Sequence, residues 1–403
     1  MIKITRLIIL FTAFVMMQGC YATRAFNNRK FELRNLDRFD SAPLPAASEP
    51  FHFVSNAANY QRLSQYLDSN LANSDTYAFL VIRNDSIVYE RYFGDISPST
   101  KLPSFSVAKS FISTLVGMAL EEGKIKGLDE PITNYLPELE KRDERFRRIN
   151  IQNLLDMRSG VKSSEQYANP FSDVLKLGFT KNIKAKTLNV KYGKAPGGDF
   201  EYRSVNTQLL AMILEKATGK PLQDYMIQKL WIPLGMQYDA SWNVDSRKTQ
   251  KVRAFCCINA AALDFAKFGQ LFLHRGNWNG KQLISKEWVE RSTSLDTMRQ
   301  YNGYKNQWWS GWSRNFFRDS SEAAAFAGKN PFKPLVSANT RKKDGVKYYQ
   351  VMYRDAFHAD GILGQLVYVN PAKNLVIVRL GHYWKHHDFG DVEPFIYSLG
   401  AAF

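Results

Sequence analysis

The sequence predicts an α+β domain: an antiparallel sheet assembled from both ends of the chain and flanked by helices, with a mostly helical second region between them. Three observations carry this reading. A β-hairpin is legible between Tyr77 and Tyr92, helix-period apolar patterns dominate from about 125 to 299, and strand patterns return after Tyr301. With 403 residues, 45% hydrophobic and 14% aromatic, the chain can bury a large core and falls outside the disordered class.

Taken in order, the first element is a leader. Lys3 and Arg6 form a basic n-region before the apolar stretch Leu7 to Met17, which has signal-peptide length and is short for a membrane span. It ends in Met17-Gln18-Gly19-Cys20, which resembles the bacterial lipobox, so residues 1–19 are expected to be a lipoprotein signal peptide and Cys20 to be lipidated. The alternative is cleavage nearby with Cys20 a spectator. Residues 20–50 are polar, basic and then proline-containing (Pro43, Pro45, Pro50), the pattern of a tether. Residues 51–403 form the folded domain, with the sheet region at about 51–125 and 300–403 and the helical region at about 126–299. The expected location is the bacterial cell envelope, on the periplasmic side or surface, held by a lipid anchor.

The hairpin runs from Tyr77 to Arg83, turns at Asn84-Asp85, and returns from Ser86 to Tyr92. Its first strand is almost continuously apolar, as an interior strand requires. Ser106 to Glu122 reads as a helix with Val107, Ile112, Leu115, Val116 and Ala119 apolar and Gly123 as the stop. Lys109 is its only ionised side chain before Glu121, and a helix that apolar all round is buried. Further helices are predicted at Ile151–Met157, Ser204–Ala217 (ended by Gly219) and Ala261–His274. The stretch from Ser313 to Tyr348 is polar and reads as a long surface loop. Strands follow at Gln365–Val369 and Asn374–Leu380, joined by a turn at Asn370-Pro371.

The net charge of +16 is scattered, with clusters at Lys141–Arg148 and Arg341–Lys347. It reads as a solvated basic surface, and no nucleic-acid-binding motif accompanies it. Adjacent cysteines rarely bridge each other, so Cys256 and Cys257 read as buried small apolar residues rather than a disulfide or a metal site. His382, His386, His387 and Asp388 come nearest to metal spacing, but histidines four apart share a face only on a helix, and none is evident there. No metal and no organic cofactor is expected.

The chemistry concentrates at one helix start. A lysine in a buried apolar helix is costly unless it is paired or its pKa falls until it becomes a base. Lys109 lies three residues after Ser106, on the same helical face, where it can take the proton of a nucleophilic serine. Ser106 also opens the helix, where free N–H groups favour an anion. The bland reading makes Ser106 an N-cap and Lys109 a snorkelling side chain. Ser159-Gly160-Val161-Lys162 also matches Ser-x-x-Lys, but Gly160 ends the helix there and Lys162 can reach water.

Ser106-Val107-Ala108-Lys109 opening a buried helix resembles the first motif of serine β-lactamases and penicillin-binding proteins, and more closely that of class C-like relatives including carboxylesterases and nylon-oligomer (aminohexanoate-dimer) hydrolases. The resemblance runs from about Tyr77 to Leu380. Val81 to Glu90 is similar to the family's opening hairpin. Leu154-Leu155-Asp156-Met157-Arg158-Ser159-Gly160 resembles its "LLxMxSG" segment. Leu263 to Gly269, followed by Gly276 to Gly280, resembles its later helix and turn.

The resemblance implies a β-lactamase/transpeptidase-like fold and a second motif, a tyrosine followed two residues later by Asn or Ser. Literal matches at Tyr167 and Tyr368 sit in the wrong context. The family context falls on Gly197-Gly198-Asp199-Phe200-Glu201-Tyr202-Arg203-Ser204, which implies Tyr202 as the second catalytic residue, relaying protons with Lys109, and Ser204 as a site-lining residue. A nearby lysine is expected to lower the phenol's pKa. The third motif, a cation followed by Gly on an edge strand, falls on Ile362-Leu363-Gly364. Ile362 carries no charge, which argues against recognition of a β-lactam carboxylate. An oxyanion hole needs only N–H groups, here expected from Ser106 and Gln365, with Gly361 and Gly364 allowing close approach of substrate. His358 and Asp355 read as ordinary loop residues, and no Gly-x-Ser-x-Gly elbow supports a Ser–His–Asp triad. Trp308, Trp309 and Trp312 either wall an acyl pocket or pack in the core.

Together these imply a serine hydrolase acting on a small-molecule ester or amide. The alternatives are a catalytically idle envelope lipoprotein that binds peptide or protein, and a peptidase for D-amino-acid peptides.

Overall fold

The computed structural model describes residues 33, 36–295, 303–331, 335–341, 347–384 and 392–403. Its centre is an eight-stranded sheet of β1 (Val54–Ser55), β2 (Thr76–Arg83), β3 (Ser86–Tyr92), β4 (Tyr304–Lys305), β5 (Trp308–Trp309), β6 (Phe357–Gly361), β7 (Gln365–Asn370) and β8 (Leu375–Gly381). The spatial order is β4-β5-β6-β7-β8-β2-β3-β1. All pairs are antiparallel except β1 beside β3. The hairpin turn has Asn84 at φ 47 and Asp85 at φ 62, the left-handed pair that matches the twist of flanking strands. The sheet is thus built from both ends of the chain, with β2 paired to β8 (Leu80 opposite Val378).

β2 is apolar from Ala78 to Ile82 because both of its faces are covered. Ala78, Leu80 and Ile82 join Val367, Val369, Val376 and Val378 in the main core. Phe79 and Val81 join Leu366, Tyr368 and Ile377 in a second layer, beneath α1 (Gln61–Leu71) and the C-terminal helix Val392–Ala402. On the main-core side lie α2 (Ala108–Glu121), α3 (Ser204–Thr218) and α4 (Ala262–Leu273). α4 packs close to the sheet at Gly269, where an added Cβ would lie 2.7 Å from Val376 Cγ1. α2 stops at Gly123 (φ 66) and α3 at Gly219 (φ 69). The short helix Ile151–Leu155 begins with a reciprocal Asn150–Asn153 capping box. Among the described residues no helix is long and apolar enough to cross a membrane. The leader and Cys20 lie outside the described residues.

Three expectations require correction. Part of the supposed tether is docked: Ser41–Leu44 pairs with Ala240–Asn243, and Leu44 is fully buried. The stretch read as a loop after Ser313 contains strands Ser313–Phe317, Leu335–Arg341 and Lys347–Tyr353, forming a three-stranded sheet, with helix Ser320–Lys329 packed on it. Its polarity misled because a small sheet at the periphery needs only one apolar face. Finally, Cys256 and Cys257 are joined by a disulfide. Cys257 adopts a left-handed backbone (φ 73), which turns its side chain toward its neighbour.

Candidate active site

α2 enters through a single 3₁₀ turn, Phe105–Val107. Its start is pinned to the neighbouring strand: Ser104 N–H donates to the Ile258 carbonyl at 2.7 Å, and Ile258 N–H donates to Ser104 Oγ at 3.1 Å. Phe105, just before the serine, holds φ 43, a strained conformation for a bulky residue. Ser106 keeps 9% of its surface exposed and Lys109 only 2%. Lys109 Nζ donates to Ser106 Oγ at 2.9 Å and to the Phe255 carbonyl at 2.8 Å. Burial pushes the amine's pKa down from 10.5 to about 7, against the opposing pull of Glu165 and Asp360. The snorkelling reading of Lys109 does not hold in this geometry.

Tyr202 precedes α3 on an extended segment. Its ring stacks on Trp309 (5.8 Å between centroids, 26° between planes), with Tyr304 edge-on at 6.0 Å. Lys109 Nζ lies 4.9 Å from the centre of the Tyr202 ring, and the hydroxyl is hydrogen-bonded to Ser106. The expected lowering of its pKa is reversed. Burial pushes it well above 10, reinforced by Tyr304 and Tyr167, and the Ser106 hydrogen bond only partly opposes this. The phenol therefore stays protonated at neutral pH and can give a proton rather than take one.

Ser204 is turned into the protein toward Glu165. It is fully buried, its N–H donates to Glu165 Oε2 at 2.9 Å, and its hydroxyl donates to Glu165 Oε1. Glu165 also accepts from the Tyr167 hydroxyl at 3.2 Å. Sequence reasoning missed Glu165 and set Tyr167 aside. Both are partly exposed beside Tyr202, on the loop after Gly160, and only the fold brings that loop to α3.

The opposite wall is the end of β6 and the turn Ile362–Gly364. A Cβ at Gly361 would collide with the Ser104 carbonyl and lie 3.2 Å from Ser106 N, so glycine lets the strand touch the serine's backbone. Asp360, Ile362 and Leu363 are partly exposed there. Gly364 holds φ 81 against the Arg379 guanidinium. Gln365 is fully buried, its amide donating to the Ile362 and Gly381 carbonyls at 3.1 and 2.6 Å. Arg379, also fully buried, donates to the carbonyls of Leu363 and Gly364 at 2.9 and 3.0 Å and fastens this turn to the sheet.

Other candidates sit elsewhere. Ser159 is buried and donates to Asn206 Oδ1 at 2.7 Å, while Lys162 is exposed. Asp355 lies in the loop before β6, whereas His358 belongs to the strand itself, and both are buried. His358 Nδ1 meets the Tyr397 hydroxyl at 2.9 Å, and Asp355 accepts from Ser313 and Asn370. Tyr368 packs against Tyr397 in the second layer. Of the tryptophans, Trp309 lines the site, Trp308 stacks on Phe268 in the core and Trp312 lies beside Arg354. His382 packs edge-on against Tyr77, while His386, His387 and Asp388 lie outside the described residues. Among the described residues no His, Cys, Asp and Glu side chains gather in a metal-holding group.

The chain is similar to the 6-aminohexanoate-dimer hydrolase of Paenarthrobacter ureafaciens, at 28% identity over 264 residues that span 60% of this chain and 66% of that protein. It is also similar to Protein flp of Staphylococcus aureus, at 25% identity over 177 residues, 40% of this chain and 34% of that protein. The chain thus spans between about a third and just under two thirds of these relatives' lengths. Among solved structures it resembles a D-stereospecific amidohydrolase from Streptomyces sp. (TM-score 0.55, 16% identity, 85% of this chain and 97% of that one). It also resembles a class C beta-lactamase mutant (TM-score 0.52, 17% identity, 87% and 100%). These likenesses are of fold, an α+β, β-lactamase/transpeptidase-like one. A family model described as Beta-lactamase matches residues 63–397, and with that match over most of its length the chain belongs to this family of serine hydrolases.

Proposed function

We propose that the chain hydrolyses a small ester or amide through an acyl-enzyme on Ser106. One observation carries the reading: a lysine amine, 2% exposed and with its pKa brought to about 7, sits 2.9 Å from the hydroxyl of a serine that keeps 9% of its surface exposed. As free base, Lys109 takes the Ser106 proton while Oγ attacks the carbonyl carbon. The oxyanion is held by the Ser106 N–H and by the N–H of Ile362, which follows the glycine lying against Ser106. Ile362 replaces Gln365 in this role, because Gln365 is sealed inside the sheet. Tyr202 passes a proton to the leaving group, and water then releases the acyl chain by the same relay in reverse.

The wall at Ile362 offers no side-chain cation for a substrate carboxylate, while Glu165 and Asp360 give the cleft negative charge. This favours a neutral or cationic linear substrate over a β-lactam. The relative named for the 6-aminohexanoate dimer makes a short linear amide the first one to try. The test is turnover of a chromogenic acetate ester, linear amides and nitrocefin by wild type and Ser106→Ala, alongside fluorophosphonate labelling. Unlabelled Ser106, or turnover surviving Ser106→Ala, overturns the reading. Anchoring in the cell envelope is proposed from Gly19-Cys20 after the apolar leader. Loss of fatty-acid incorporation in Cys20→Ser is the expected result, and equal labelling of both forms refutes it.

A further inference from the structure

The group that aims the Lys109 amine is a backbone carbonyl, and the residue after it is half of a disulfide. Phe255 O accepts from Nζ at 2.8 Å, which leaves the lone pair of a neutral amine to face Ser106 Oγ at 2.9 Å. The direction of that carbonyl is set by the chain on either side. Before it, Ala254 N–H donates to Gln208 Oε1 at 3.0 Å. After it, Cys256 N–H donates to the Arg253 carbonyl, the Trp242 indole donates to Cys256 O, and Asn243 N–H donates to Cys257 O. Cys257 holds φ 73, a conformation that costs an L-residue free energy and persists only where something enforces it. Its sulfur is bonded to Cys256, closing a small ring around the Cys256–Cys257 peptide. That ring directly adjoins the Phe255–Cys256 peptide whose oxygen the lysine uses.

We propose that the Cys256–Cys257 disulfide is a positioning device for Lys109: the closed ring holds the Phe255 carbonyl on the amine, and reduction releases it and slows hydrolysis. The inference rests on the serine-hydrolase reading above. The reductant is a dithiol. One of its thiolates attacks the sulfur of Cys257, the more exposed of the two, forming a mixed disulfide and freeing Cys256. Its second thiol then closes the reductant's own disulfide and expels Cys257. Two electrons pass to the pair, and the reductant's two thiol protons end on the two cysteines. Cys257 then relaxes from its left-handed backbone, and the adjoining peptide turns with it.

Two readouts on the full chain test this, in its oxidised form, after dithiothreitol, and as the double variant C256A/C257A, which has no bond to reduce. The first is kcat and KM against pH with a chromogenic ester. The second is the titration midpoint of Lys109, followed by NMR on lysine labelled with carbon-13 at Cε. The expected result is a fall in kcat of about tenfold with KM little changed, while the Lys109 midpoint moves below its oxidised value because the ammonium has lost a carbonyl acceptor. Reoxidation restores the treated wild type, and the double variant matches the reduced form. Unchanged kcat and midpoint in the double variant overturn the proposal. So does a midpoint rising toward 10.5 with loss of the folded circular-dichroism signal, which would make the bond merely structural. If no form turns over ester, the hydrolase reading fails, and the midpoint still decides whether the disulfide aims the amine.

Discussion

Replacing Lys109 with methionine should remove activity and raise stability, with opposite pH signatures. In the native state the amine titrates at about 7, and in the unfolded chain near 10.5. Between those values the unfolded chain binds more protons, so this group's contribution to stability rises with pH across that window. Below about 7 the native protein bears the whole cost of burying a cation, about 5 kcal/mol at 1.36 kcal/mol per pH unit. At pH 10 that cost has fallen to about 1 kcal/mol. Methionine fills similar space but leaves the Phe255 carbonyl without this donor, a loss of about 1–3 kcal/mol. Lys109→Met should therefore exceed wild type by about 2–4 kcal/mol at pH 6 and lose that advantage by pH 10. Ester hydrolysis should fall by about a thousandfold, and the residual rate should no longer rise through pH 7. Denaturant unfolding of both proteins at the two pH values, beside the rate profile, checks this. A stability difference that does not change with pH would refute the claim that the buried amine is a displaced base.

The remaining predictions address its neighbours. Glu165→Gln removes a carboxylate that pulls the Lys109 pKa upward, so the acid limb of kcat/KM should move to lower pH; a shift to higher pH would contradict the assignment. Tyr202→Phe should lower kcat about a hundredfold or more while the protein still unfolds cooperatively at a similar midpoint. Gly361→Ala places a methyl group against the Ser104 carbonyl and should cost at least tenfold in kcat/KM by moving the turn off Ser106, measurable with the same ester. Arg379→Met strips donors from the Leu363 and Gly364 carbonyls and should destabilise the fold by about 3 kcal/mol in urea unfolding.

Much of this was legible because it was local. A lysine in an otherwise uncharged apolar helix, one turn after a serine, signals both burial and chemistry in a short window, and the hairpin at Asn84-Asp85 announces itself by β-branched and aromatic runs on either side of a turn. The features that escaped depend on contacts distant in sequence. Glu165 and Tyr167 look like ordinary loop polars until α3 arrives beside them, and Gln365 looks like a site donor until the sheet encloses the whole residue. Phe255 contributes a carbonyl, which no side-chain pattern can reveal. The phenol of Tyr202 was misjudged because its charged neighbour was visible in the sequence and its enclosure by Trp309 and Tyr304 was not.

The pairing of β2 with β8 has a consequence for synthesis. Joining strands from opposite ends of the chain closes a very long loop, a contact reached late because its entropy is spent before any reward returns. As the chain leaves the ribosome, Ser106 and Lys109 emerge long before the turn that faces them, so through much of synthesis this pair has no opposite wall. Only when the last strands slot between the hairpin and β6 does the far wall reach Ser106.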